Sequence, residues 1–228
     1  MRMSPNTAPW LFAGLFLGLC TACTRTPGQW TQDLDSNDPF VRGMAAIALG
    51  IENPRGARPA LPILLRAIDR SDVGLEAQAA RVLVHVGPHH VDFLLAALVK
   101  SELMSDDQRG TIKNALVKAG PPAAKQVVNC MRGPGKHLVG HLGEVLLSIG
   151  PESLPAMIAL LERGNDPRLR SYGAFLIANF GPRARSALPL LQDALDEEDP
   201  DLRAIAFQAI ESLHGRPWKA PQPMAKGQ

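Results

Sequence analysis

Asp166-Pro167-Arg168-Leu169-Arg170-Ser171-Tyr172-Gly173-Ala174-Phe175-Leu176-Ile177-Ala178-Asn179-Phe180-Gly181-Pro182 is a helix with both ends marked in the sequence. Asp166 offers a side-chain oxygen to cap the first turn, and Pro167 suits the first helical position, where no amide is needed. Leu169, Gly173, Leu176, Ile177 and Phe180 then step by three and four, which puts them on one face. Gly181-Pro182 stops the helix, because glycine accepts a left-handed turn and proline cannot continue the ladder. A second helix follows, with Leu188-Pro189 in its first turn and Leu191, Gln192 and Leu195 completing an inner stripe. Two short helices cannot bury both apolar faces against each other alone. The unit needs neighbours.

The neighbours lie at a fixed period. Equivalent caps fall at Asp38, Asp72, Ser105, Gly135, Asp166 and Asp199, separated by 34, 33, 30, 31 and 33 residues. Helix stops keep step at Asn53-Pro54, Gly87-Pro88, Gly120-Pro121, Gly150-Pro151 and Gly181-Pro182. Three residues after each cap stand Val41, Leu75, Gln108, Leu138, Leu169 and Leu202. Seven after stand Ala45, Ala79, Ile112, Leu142, Gly173 and Ala206, and eleven after stand Leu49, Leu83, Leu116, Leu146, Ile177 and Ile210. Only Gln108 breaks an apolar or small set. A period of this length with helix-turn-helix content predicts an all-α chain, an α-solenoid of about five and a half helix pairs.

These residues resemble the HEAT-repeat family, in the short bacterial form called PBS-lyase-type HEAT repeats. The matching stretches are Asp38-Pro39-Phe40-Val41-Arg42, Ala45-Ala46-Ile47-Ala48-Leu49-Gly50, Asp166-Pro167-Arg168-Leu169-Arg170 and Asp199-Pro200-Asp201-Leu202-Arg203. Ala60-Leu61-Pro62 and Ala187-Leu188-Pro189 match as openings of second helices. The resemblance implies a right-handed solenoid over residues 36–214, with second helices lining the concave side and a binding platform as the usual role. Deoxyhypusine hydroxylases, an enzymatic branch, carry metal-binding His-Glu dipeptides, and this chain has none. Bilin lyase subunits form another branch, whose chemistry leaves no residue pattern that can be located here.

Composition fits closely stacked helices. Aromatic residues make up 5% of the 228, and a formal net charge of +2 gives no bulk attraction for nucleic acid.

Residues 1–22 stand apart. Arg2 precedes an uninterrupted apolar or glycine run from Trp10 to Leu19, shorter than the about 20 residues that cross a bilayer core and typical of a signal-peptide apolar region. A buried or membrane-lying N-terminal helix is the alternative. Leu19-Cys20-Thr21-Ala22-Cys23 resembles a bacterial lipoprotein box, in which small residues precede the cysteine that becomes the acylated N-terminus. Cys23 fits that role; bulky Leu19 counts against Cys20. The resemblance implies a mature chain with a diacylglycerol and an amide-linked acyl chain such as palmitate on Cys23, exported and anchored to the bacterial cell envelope. In a Gram-negative cell, Thr24 in place of aspartate resembles sorting to an outer membrane. Removing residues 1–22 takes away Arg2 and no acid, so the net charge falls from +2 to +1. The remaining cysteines, Cys23 and Cys130, then form no internal disulfide. Residues 23–35 read as a tether and N-terminal cap built around Trp30 and Leu34, and residues 215–228 as a loose C-terminal tail.

Few residues offer chemistry. Cys130 aligns with Ala67, Ala97, Leu160 and Ala194 near the ends of second helices, a packing position for a small hydrophobe. Arg42, Arg109, Arg170 and Arg203 each stand four residues after a cap, which predicts a ladder of arginines reaching the capping aspartates. The fourth unit, with Gly133, Gly135, Gly140 and Gly143, is expected to be the least stable, since glycine costs about 1 kcal/mol relative to alanine inside a helix. His137, His141 and Glu144 share one outer helix face at helical spacing, a metal-ligand set or simply a polar face. Leu138 stands where the base of a His-Glu-x-x-His site would be. His89-His90 falls at a turn. Outward positions of the second helices are Ile63 and Arg66, Phe93 and Ala96, Gln126 and Asn129, Ala156 and Ala159, Leu190 and Asp193. Ile63, Arg66, Phe93 and Leu190 are the partner-contact candidates, since a row of apolar groups along a groove marks a contact site.

The expected function is therefore a monomeric, membrane-tethered scaffold for an unidentified protein partner, without cofactor or catalytic constellation. The alternative is a metal-binding or lyase-like accessory subunit of an enzyme. Replacing Cys23 by Ala is expected to leave unprocessed precursor and abolish acyl labelling in the expressing cell. Labelling that persists would place the acyl groups on Cys20 or remove the anchor altogether.

Overall fold

The computed structural model describes residues 26–69, 75–100, 104–162, 164 and 166–216. Among them every regular element is helical and no strand occurs. After a short leading helix, α1 (Pro27–Asp33), come α2 (Pro39–Glu52) with α3 (Leu61–Asp69), α4 (Glu76–Val86) with α5 (Val91–Lys100), and α6 (Asp106–Ala119) with α7 (Pro121–Arg132). Then follow α8 (Val139–Ile149) with α9 (Leu154–Leu160), α10 (Pro167–Ala178) with α11 (Leu188–Asp193), and α12 (Pro200–Leu213).

The caps are the ones that aspartate and serine chemistry predicts. Asp38, Asp166 and Asp199 each accept an amide two residues on at 2.9 Å, from Phe40, Arg168 and Asp201. Ser105 and Gln108 form a reciprocal capping box on α6. Asp72 lies outside the described residues, and Gly135 precedes a 3-10 turn, Lys136–Leu138, so α8 begins only at Val139. Thr26 opens α1 through a second capping box with Gln29.

First helices pack in succession: α2 on α4, α4 on α6, α6 on α8 and α10 on α12. Second helices do likewise from α5 to α7 and from α7 to α9. Ala45, Ala79, Ile112, Leu142, Gly173 and Ala206 are all buried where they face the stack, as are Leu49, Leu83, Leu116, Leu146 and Ile177. Each fully buried leucine or isoleucine contributes about 1.5–3 kcal/mol. One continuous cluster of buried side chains runs from Leu34 to Leu213. At its N-terminal end α1 lies on α2, with Leu34 buried and the Trp30 indole donating to Glu52 Oε1 at 3.3 Å.

Gln108, the polar exception in the stripe, is a bridge. Its Nε2 donates to the Leu65 carbonyl of α3 at 2.7 Å while its Oε1 accepts from the Ser105 amide at 3.2 Å. The arginines correct an expectation. They bind backbone carbonyls of the turns before their helices, whereas the sequence pointed to the capping aspartates. Arg42 donates to Ser36 O at 2.5 Å, Arg109 to Met104 O at 3.3 Å, and Arg203 to Glu197 O and Glu198 O at 2.7 and 2.9 Å. Buried Arg170 donates from Nε to Leu161 O at 3.0 Å and from Nη2 to Glu197 Oε1 at 3.1 Å, so it ties two successive turns together. The reason is local. Each capping carboxylate is already occupied by helix amides, whereas the turn carbonyls have no helical partner.

Tyr172 of α10 crosses to α8, its hydroxyl donating to Gly140 O at 3.4 Å, and its ring fills the space where a Cβ on Gly143 would project. Gly140 has open space instead. Gly140→Ala is therefore expected to stabilise the protein by about 0.5–1 kcal/mol through helix propensity. Gly143→Ala should destabilise it by about 1–3 kcal/mol through overpacking. Thermal unfolding of the two variants reads the opposite signs, and trimming Tyr172 to Ala should erase the Gly143→Ala penalty.

Candidate functional site

Second helices α5, α7 and α9 stand side by side with their outer surfaces incompletely covered, and two grooves run between them. The first, of about 510 Å³, lies between α5 and α7 over Leu95, Ala96, Val99, Cys130 and Pro134, with Gln126 and Asn129 on the α7 side. Asp92 and Lys100, near opposite ends of α5, give it a charge at each end. The second, of about 290 Å³, lies between α7 and α9 among Ala124, Val128, Pro155, Ala156 and Ala159, with Lys125, Arg132 and Glu152 as its charged lining. Asn129 lines both grooves.

Local chemistry explains the shape. Alanines at 96, 124, 156 and 159 leave space between neighbouring helices that longer side chains would fill. Pro121, Pro134 and Pro155 sit at helix ends, where a missing amide costs nothing. Two of the charged groups are tied down. Arg58 reaches from the turn before α3 to Asp92 at 2.7 Å, and this guanidinium holds the Asp92 carboxyl below the usual range. Arg132 donates to Ala159 O at 2.5 Å and pairs with Glu162 at 3.4 Å, which fixes α7 against α9.

The outward positions expected from the sequence divide into two sets. Ala96, Gln126, Asn129, Ala156 and Ala159 line the grooves, and Arg66 and Asp193 are exposed. Ile63, Phe93 and Leu190 are half-buried and packed against the core cluster, outside both groove linings. The apolar candidates are thus partly consumed by packing, and the smaller residues beside them form the open surface. The missed signal was the alanine and asparagine content of α5, α7 and α9, which leaves grooves where larger groups would have filled them.

Cys130 forms part of the first groove's floor and is buried. Burial pushes its thiol above the ordinary range, so it stays protonated and unreactive at neutral pH. His90, read from sequence as an ordinary turn residue, is buried and donates from Nε2 to Pro54 O at 2.9 Å, joining two adjacent turns.

His137, His141 and Glu144 do not converge. His137 is exposed in the 3-10 turn, while Lys113 of α6 reaches between the other two. Its Nζ lies 3.1 Å from His141 Nδ1 and 2.5 Å from Glu144 Oε2. His141 Nδ1 itself lies 3.8 Å from Glu144 Oε2, and among the described residues no cluster of three potential ligands occurs. Cys23 lies outside the described residues.

No family model matches the chain, and no curated protein is similar to it. Among solved structures, human deoxyhypusine hydroxylase in complex with glycerol is similar at 16% identity and a TM-score of 0.41, over 83% of this chain and 85% of that one. The class defined by the structure itself is an all-α protein of successive helix pairs with a grooved second-helix surface.

Lys113, hydrogen-bonded to the Glu144 carboxylate, holds its pKa below the ordinary value. Lys113→Met is expected to raise it toward the usual range, read by carboxyl chemical shifts against pH. Because the folded-state value is depressed, this pair's stabilisation is present above the unfolded pKa and is lost as pH falls through the folded one. The part of the stability difference between Lys113→Met and the parent that comes from this pair should accordingly be largest near neutrality and shrink as pH falls.

Proposed function

We propose that residues 36–214 form a right-handed α-solenoid of HEAT-like helix pairs, about five and a half repeats long. It is held at the membrane of a bacterial envelope through acylated Cys23 and acts as a scaffold that presents its second helices to a protein partner. The observation that carries this reading is the pair of adjacent grooves between α5, α7 and α9, mainly apolar in their floors and flanked by polar and charged groups. Such a surface suits an extended or helical segment that places apolar side chains in the floor and polar contacts at the rim.

The periodic caps and shared first-helix stripe support the solenoid. The lipoprotein-box resemblance supports the anchor. The metal-binding or lyase-like reading draws no support from His141 and Glu144, both of which Lys113 contacts. The test is a photo-crosslinking amino acid at Asn129 in the first instance and at exposed Asn114 of α6 in the second, in the native envelope. A defined adduct is expected from position 129 and none from 114. Adducts from 114 alone, or equally from both, would end this assignment of the binding face.

A further inference from the structure

The outward face of α2 differs from the corresponding face of every later first helix. Phe40 is 49% exposed, Met44 37% and Ile51 59%. At positions 40, 44 and 51 they fall within one narrow stripe of a 3.6-residue helix. The repeat places polar or small groups at the same positions elsewhere: Asp107, His137, Arg168 and Asp201 match Phe40; Gln78, Thr111 and His141 match Met44; His85, Lys118, Ser148 and Asn179 match Ile51. Tyr172 and Ile205 are the partial exceptions, and both are half-buried. Phe207 of α12 is exposed too, but singly and at a different position of its repeat. A large apolar stripe exposed on one repeat only requires a local cause.

That cause lies in where the chain enters. α1 folds back along α2, so that Trp30 of α1 donates to Glu52, the residue after Ile51. Thr26, the cap of α1, is one turn before Trp30 and so sits near the same end of α2. Cys23 is three residues earlier, a reach of roughly 11 Å at most. Whatever holds residues 1–23 at a membrane also holds the Ile51 end of the stripe beside it.

We propose that Phe40, Met44 and Ile51 of α2 insert into the interfacial layer of the anchoring membrane and fix the orientation of the helix stack on it, an inference that rests on the N-terminal segment being membrane-held. The occupant is a lipid surface recognised by apolar contact. Asp35, Asp38 and Glu52 are exposed around the stripe with Asp33 half-buried nearby, against exposed Arg55 and half-buried Arg42, so no cationic patch attracts anionic headgroups. Docking is therefore expected on zwitterionic lipid and to be insensitive to salt. The outward faces of α4 and α6, which carry Gln78, Arg81, Asn114 and Lys118, stay in water.

The test uses the full chain, purified with its own anchor and reconstituted into phosphatidylcholine vesicles containing a small fraction of diazirine-bearing lipid. Peptides covering residues 39–52 are expected to carry several-fold more lipid adduct than those covering α4 or α6, at low and high salt alike. The variant Phe40→Ser, Met44→Gln, Ile51→Gln should stay vesicle-bound and unfold at a similar temperature but lose the α2 adducts. Vesicle-bound protein with no excess of label on α2 overturns this proposal alone and leaves the anchor standing. A stable dimer joined through α2 also overturns it, since a second copy would then cover the stripe. Protein that does not associate with vesicles overturns both the docking and the anchor.

Discussion

Close approach between neighbouring first helices is the constraint on which the structure depends. Val82 of α4 occupies the space where a Cβ on Gly50 of α2 would project, and Leu75 does the same at Gly43. Ala115 of α6 presses on Gly87, and Leu160 of α9 on Gly173. These glycines lack a side chain where an adjoining unit supplies one. The apolar surface of one helix pair is completed by its successor, so the core belongs to the stack and to no pair alone. Ends of such a stack are exposed by construction, and α1 is the local answer at one of them.

Apolar contact between repeats sets spacing, and polar contacts at the turns set direction. Arg170, Gln108, His90 and Arg132 each carry a hydrogen bond from one unit to a backbone carbonyl of another. Ser212 does the same from α12 to Ala178 O at 2.7 Å. Turn carbonyls near a core cost about 1–3 kcal/mol if left without a donor. Side chains that satisfy them across the repeat boundary resist sliding of one pair over the next. Arg58 with Asp92 and Arg132 with Glu162 add ties around the second helices, and the grooves between α5, α7 and α9 are the space those ties preserve.

The two surfaces of the stack have become chemically different. On the second-helix side, alanines and prolines leave open apolar floors with fixed charges around them. On the first-helix side, the large apolar side chains exposed among the described residues are those of α2 and Phe207 of α12, with Tyr172 and Ile205 half-buried. Lys113 neutralises Glu144 and occupies the space between it and His141, and Cys130 is held as a protonated thiol by burial. Lys113, Glu144 and Cys130 are thus engaged in structural contacts.

Caps, stops and the stripe at three, seven and eleven residues after each cap were legible in the sequence because they are local. A capping aspartate acts on an amide two residues away, and a helix has a fixed 3.6-residue turn wherever it sits. That determined the all-α class, the capped starts of α2, α6, α10 and α12, and the buried faces at Leu83, Leu116 and Leu146. Contacts between units, some thirty residues apart, obey no such fixed phase. Which carbonyl and which carboxylate Arg170 meets, and whether Gly143 has open space or seats Tyr172, depends on how one helix pair is rotated against the next. The same rotation half-buries Phe93, Ile63 and Leu190, leaves Asn129 facing two grooves, and brings Lys113 between His141 and Glu144. Sequence fixes what each helix can bury; the angle and distance of the stack decide what remains exposed.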